Sequence, residues 1–198
     1  MSADSAKLTR SQQILQALAI MLENPEEKIT TALLAKHVGV SEAALYRHFP
    51  SKTRMFEGLI DYMDEALFSR VNQIARSEKQ AIEKIYDLSL LFLLFAERNP
   101  GFCRLLTGEA IAGEHIRLHQ RIAKIFDRLQ LEVKQIIKQA EISDGLRPTA
   151  LATDQAELIC ALVSGKIADY VRSGFKKVPS ESWQRQFDLL GANFFTKP

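Results

Sequence analysis

Between Thr30 and Thr53 stand side chains that suit a polyanion and the edges of stacked bases. Thr30 and Thr31 supply two adjacent hydroxyls, Ser41 and Glu42 a hydroxyl and a carboxylate, and Tyr46, Arg47 and His48 three consecutive polar groups. Lys52 and Thr53 follow. Ala43 and Ala44, set among them, are small enough to let a backbone come close to a base. Hydroxyls and a lysine at helix starts clamp phosphates. An arginine can take a guanine, a glutamate can accept from cytosine, and an alanine can touch a thymine methyl. In residues 36–54, Lys36, Arg47, Lys52 and Arg54 stand against Glu42 alone, although the first eighty residues hold ten Lys/Arg and ten Asp/Glu. A basic spot on a neutral body fits a small nucleic-acid footprint better than a general polyanion-binding surface.

Other chemistry is poorly supplied. His115 and His119 are one helical turn apart, a spacing that can bind zinc, but no third ligand or base motif accompanies them. The chain has no G-x-S-x-G, phosphate loop or dinucleotide fingerprint. These absences argue against an enzyme and against a metal or cofactor. Cys103 and Cys160 share no C-x-x-C spacing, and each falls in a predicted helix, as reduced buried thiols of a cytosolic protein do. The N-terminal MSADSAKLTR is polar, with no signal-peptide core. The most apolar run, Leu88 to Ala96, is too short to span a bilayer.

The elements that must position these groups are helices. No strand alternation or internal repeat is visible. A first helix is predicted over about Thr9 to Asn24, with Ile14, Leu15, Leu18, Ala19 and Leu22 as its apolar stripe. A charged loop, Pro25 to Lys28, leads to Thr30 or Thr31 as cap of a helix over Ala32 to Val38. Gly39 suits a left-handed turn, and Ser41 caps the next helix, Glu42 to Phe49. After Pro50, Ser51 caps a long helix to about Arg76. Further helices are predicted over Ala81 to Glu97, Phe102 to Thr107, Glu114 to Glu141, Thr153 to Arg172 and Ser180 to Phe195.

Helices of seven or eight residues are marginal alone. The two between Ala32 and Phe49 must rest on the first helix through Leu34, Val38, Val40, Leu45 and Phe49. Helix, glycine turn, helix is the arrangement that sends its second member into the DNA major groove.

Thr30 to Phe56, with its ending LYRHFPSKTRMF, resembles the DNA-binding domain of TetR-family regulators. Tyr46 to Phe49 and Lys52 match residues typical of that family. The resemblance implies an all-α TetR-like homodimer. Residues 1–54 would form a three-helix DNA-binding head with its helix-turn-helix, and residues 55–198 a helical body for dimerisation and partner binding. The two last helices would pair across the two-fold axis. Ala156, Ile159, Cys160, Val163, Ile167, Tyr170 and Val171 form one apolar stripe there, and Trp183, Phe187, Leu190 and Phe194 another. Both could be intramolecular core. Two apolar helices at the chain end exceed one small core's needs, which favours the interface.

Three stretches narrow the resemblance to the nucleoid occlusion branch of the family: Ile29 to Phe56, Glu97 to Gly108, and Tyr170 to Lys176. That branch implies binding to palindromic sites across the chromosome and, from there, antagonism of the division protein FtsZ, in the cytoplasm at the nucleoid. The FtsZ C-terminal tail would lie in a groove between the fourth and fifth helices. Tyr62, Arg70, Leu91, Leu94, Arg98 and Asn99 are the matching residues; Leu94 replaces a small residue and alters the groove. The alternative is a ligand-responsive TetR-type repressor, which needs a polar-lined pocket; the body offers mainly Leu, Ile and Phe, so no small-molecule ligand is expected. Arg117, Arg121, Lys124 and Arg128 lie on one helix face, either as a solvated surface or as a second site for an acidic partner.

Overall fold

The computed structural model describes residues 8–24, 26 and 29–196. The polar N-terminal heptapeptide, and Pro25, Glu27 and Lys28 of the predicted charged loop, lie outside the described residues.

Nine α-helices follow one another among the described residues: α1 (Arg10–Met21), α2 (Thr31–Val38), α3 (Glu42–His48), α4 (Lys52–Ala75), α5 (Ala81–Arg98), α6 (Pro100–Leu106), α7 (Ile116–Ser143), α8 (Ala152–Arg172) and α9 (Trp183–Gly191). A single 3-10 turn, Glu109–Ile111, joins α6 to α7. The fold is therefore all-α and TetR-like, as the sequence implied.

The caps are where hydroxyl spacing predicts them. Thr30, Ser41 and Ser51 each accept a hydrogen bond from the amide three residues on, which opens α2, α3 and α4. Gly39 ends α2 at φ 76°, a left-handed backbone where a side chain would be strained. The α1–α3 head closes over buried Ile14, Leu18, Leu34 and Leu45, with Val38, Val40 and Phe49 half-buried against them. Phe49 fits beside Leu15, against Gly58 of α4, where a Cβ would come within 3.0 Å of its ring. The helix α4 runs unbroken from the head into the body, where α5 and α7 pack against it and α8 packs on α5 and α7.

A second joint lies at the far end of α1. Arg104 of α6 is buried and donates from Nη1 to the carbonyls of Leu22 and Asn24, at 2.8 and 3.1 Å, while its Nε donates to Glu109 at 2.8 Å. A cation on the open carbonyls of a helix end satisfies them and suits the helix dipole. Gly101 makes this close approach possible, because a Cβ there would overlap the Ala19 carbonyl oxygen.

Three expectations need correction. The stripe Ala156, Ile159, Cys160, Val163, Ile167 and Tyr170 is buried within the single chain, as are Trp183, Phe187 and Phe194. These residues are core, and α8 packs through them on α5, α6 and α7. Both faces of α8 are apolar, and its outward face is the less continuous one: Leu158 is exposed, Leu162 half-buried, and Gly165 exposed. With Leu189 (75% exposed) and Leu190 of α9 they line an apolar trough. Second, α9 stops at Gly191, and Phe195–Thr196 instead pairs antiparallel with Arg147–Pro148. Gln155 secures that clasp by donating to the Phe194 carbonyl at 2.8 Å. Third, the α7 stripe is a solvated face, with Arg117, Lys124 and Arg128 exposed, but its arginines are paired and do not form an open site for an acidic partner. Arg117 bonds Glu57 at 3.0 Å, Arg121 bonds Asp61, and Arg128 bonds Asp64 at 2.5 Å while lying 3.6 Å from the Phe68 ring centroid. The acids of α4 stand at i, i+4 and i+7 and the arginines of α7 at i, i+4 and i+11; the pairs rise together along both helices, which therefore run parallel.

Candidate nucleic-acid interface and partner groove

The helix α3 stands on one fully buried side chain, Leu45, and turns the rest outward. Ser41, Glu42, Ala43, Tyr46, Arg47 and His48 are exposed, and Ala44 is half-buried. The face that sequence assigned to reading DNA is thus open to solvent, with Tyr46 43% exposed.

Several of these groups already have partners. The Tyr46 hydroxyl donates to Thr31 Oγ1 at 3.3 Å, and the Thr31 hydroxyl donates to Glu42 Oε2 at 2.8 Å. This chain of hydrogen bonds joins the start of α2 to both ends of α3 and fixes the angle between them. Glu42 is therefore engaged within the head. His48 Nδ1 lies 3.3 Å from Ser11 Oγ, which ties the end of α3 to α1. Thr30 is exposed and Thr31 half-buried; Thr53 is half-buried in the first turn of α4. Lys52 is paired with Glu114 at 2.7 Å, a partner that the sequence did not disclose. Arg47 is exposed.

The second constellation divides in two. On α4, Tyr62 and Arg70 are two turns apart and exposed; on α5, Leu91, Leu94 and Arg98 follow at three and four residues. Leu91 rests partly on the core, whereas Leu94 is half-buried outside the core cluster. Arg98 is exposed at the end of α5. Asn99 follows it and donates from Nδ2 to the Phe95 carbonyl at 2.7 Å. Phe95 packs on Phe102 at 5.5 Å between centroids, and Phe102 stacks on Tyr62 at 6.3 Å.

Tyr62, Asn99 and Phe102 also form one wall of a groove of about 400 Å³. Its other wall is α1, through Gln12, Leu15 and Ile20. Sequence reasoning missed this α1 contribution, although Ile20 stands off the α1 core stripe and is 48% exposed.

The ring nitrogens of the histidine pair make hydrogen bonds instead of a ligand set. His115 Nδ1 accepts from the Arg117 amide at 3.1 Å, and His119 Nε2 lies 3.1 Å from the Ile111 carbonyl. Among the described residues, no group of three or more His, Cys, Asp or Glu could hold a metal ion. Burial pushes the Cys103 and Cys160 thiols up to about 12, which keeps both protonated and unreactive at neutral pH. Among the described residues, no helix is long and apolar enough to cross a membrane.

Comparison with known proteins agrees with this geometry. Residues 14–59 match the family of bacterial regulatory proteins of the tetR type, and residues 79–194 match the SlmA-like family of tetracyclin repressor-like C-terminal domains. The chain is 53% identical over 188 residues to the nucleoid occlusion factor SlmA of Marinomonas sp. (strain MWYL1), covering 94% of this chain and 95% of that protein. It is 49% identical over 189 residues to SlmA of Shewanella woodyi, covering 95% and 96%. Among solved structures, a TetR transcription regulator from Haloarcula marismortui superposes with a TM-score of 0.79 at 16% identity, covering 94% of this chain and 98% of that one. FadR from Bacillus subtilis, solved with stearoyl-CoA, gives 0.76 at 15% identity, covering 92% and 98%. At such identities these two structures speak for the fold alone.

Proposed function

Because the chain belongs to the tetR family of bacterial regulatory proteins, and within it to the nucleoid occlusion factors SlmA, we propose that it binds palindromic chromosomal sites as a homodimer and from there antagonises assembly of FtsZ. Division would thereby be kept off the unsegregated nucleoid. The chain is a DNA-binding regulator and not an enzyme.

The observation that carries this reading is the exposed α3, propped on Leu45 and braced by the Thr31, Tyr46 and Glu42 hydrogen bonds. A braced rod meets DNA without first having to be ordered, so less binding energy is lost. Residues 1–54 serve as the head and residues 55–198 as the body that dimerises and takes the partner. The dimer forms through the outward faces of α8 and α9, where Leu158, Leu162 and Leu189 leave apolar surface uncovered. The FtsZ C-terminal tail, a short segment with acidic and apolar residues, suits the α4–α5 face. Arg70 and Arg98 there supply charge, and Leu91, Leu94 and Tyr62 supply apolar surface.

Arg98→Asp tests the division of labour. The variant is expected to retard the same chromosomal fragments as the unaltered protein and to lose its inhibition of FtsZ polymers in a sedimentation assay. Inhibition that survives the charge reversal would remove the partner from this face. A protein that retards no duplex at all would end the DNA reading.

A further inference from the structure

Lys52 opens α4 at the junction of head and body, next to the face that meets DNA under the reading above, on which this inference rests. Its Nζ is 2.7 Å from Glu114 Oε1 and 5.6 Å from the Phe56 ring centroid. Glu114 reaches it from the turn before α7, held there by its amide, which donates to the Ile111 carbonyl at 2.9 Å.

The junction holds a second carboxylate, Glu57, and the two differ. Glu57 is buried and shared by Arg54 at 2.7 Å and Arg117 at 3.0 Å, so its charge is fixed from two sides. Glu114 pairs with Lys52 alone among the described residues, and the Lys52 side chain is 38% exposed. The Glu114 side chain is 22% exposed, so the pair is partly open to water, and a single such pair is weak. A lysine in the first turn of a helix, beside a hydroxyl residue, is also where a phosphate settles.

We propose that Glu114 is an internal stand-in for a DNA backbone phosphate on Lys52, and that docking exchanges the carboxylate for the phosphate. Two consequences follow from charge alone. The exchange lowers affinity for duplex DNA, because a contact must open and a freed carboxylate is left beside a phosphate. The loss is uniform across sequences, since a phosphate contact carries no base information.

The test compares Glu114→Gln, Lys52→Gln and the double variant, on a duplex selected by the unaltered protein from chromosomal fragments and on a random duplex of equal length. Glutamine keeps the shape of Glu114, and thermal melting checks that each variant is folded. Glu114→Gln is expected to bind both duplexes about fivefold more tightly, the upper end for one exposed ion pair. The gain should shrink as salt is raised. In the Lys52→Gln background the same change should give a clearly smaller gain, since the contact it releases is gone and only the repulsion between carboxylate and phosphate is relieved. Unchanged or weaker binding by folded Glu114→Gln would overturn the proposal. So would an equal gain with and without Lys52, which would reduce Glu114 to a general charge effect. If the unaltered protein binds no duplex, the DNA reading itself has failed; if it binds and the variants behave alike, only the role of Glu114 falls.

Discussion

Thr31 is the residue whose role the structure enlarges most. Sequence offered it as a phosphate contact at the start of a short helix. Its hydroxyl in fact accepts from Tyr46 and donates to Glu42, bracing two helices that are too short to hold their own angle. Thr31→Val keeps the shape and removes both bonds. It is expected to leave a folded protein and to weaken DNA binding about five- to tenfold, the worth of roughly one net hydrogen bond. Fluorescence anisotropy on a selected duplex measures the loss, and unchanged affinity would show that the brace does not matter to recognition. The capping hydroxyls Thr30, Ser41 and Ser51 were legible because a cap is a local event, three residues from its target. The brace was not, because it depends on the crossing of α2 and α3. The Lys52–Glu114 pair was hidden for the same reason, its partners being far apart in the chain.

Among the elements, α6 shows how a short helix can govern two others. It seats Phe102 against Tyr62 of α4 and brings Arg104 onto the end of α1. Both contacts require Gly101, where any side chain meets the Ala19 carbonyl. Gly101→Ala is therefore expected to cost about 2 kcal/mol through overpacking, a fall of about 6 °C in Tm for a chain of this size. Calorimetry checks this, and a Tm unchanged within error would mean that α1 can shift freely away from α6. Asn99-Pro100-Gly101 was readable as a stop before a short helix. The closeness of α1 was not, since nothing in the local pattern names the neighbour. The helix α8 misled for a different reason. Periodicity finds an apolar face, but a helix apolar on two sides offers two answers, and the denser stripe proved to be the inner one.

Across the whole molecule, the apolar trough on α8 and α9 is the surface proposed to meet a second subunit. Leu189 is 75% exposed there, so a charge at that position costs the isolated chain little. Leu189→Asp is expected to yield a folded monomer in sedimentation and to lose most binding to a palindromic duplex. A sedimenting dimer would move the two-fold axis to another face. Fold class was legible at this scale, because it follows from helix count, loop positions and a resemblance that runs along the chain. The ladder of ion pairs between α4 and α7 was legible only in halves. Glu57, Asp61 and Asp64 repeat at helical spacing, and so do Arg117, Arg121 and Arg128, but the parallel course of the two helices was needed to join them.

That parallel course gives α4 the character of a stiffened lever. Its 24 residues extend about 36 Å at helical rise, so pivoting about 5° around the Ser51 end carries the opposite tip about 3 Å. Packed against α7 and paired with it along its first half, the lever would carry α7 with it as it tilts, and through α7 the neighbouring α8. A small change of pose at the Ser51 end would thus be magnified on its way to the opposite pole of the chain.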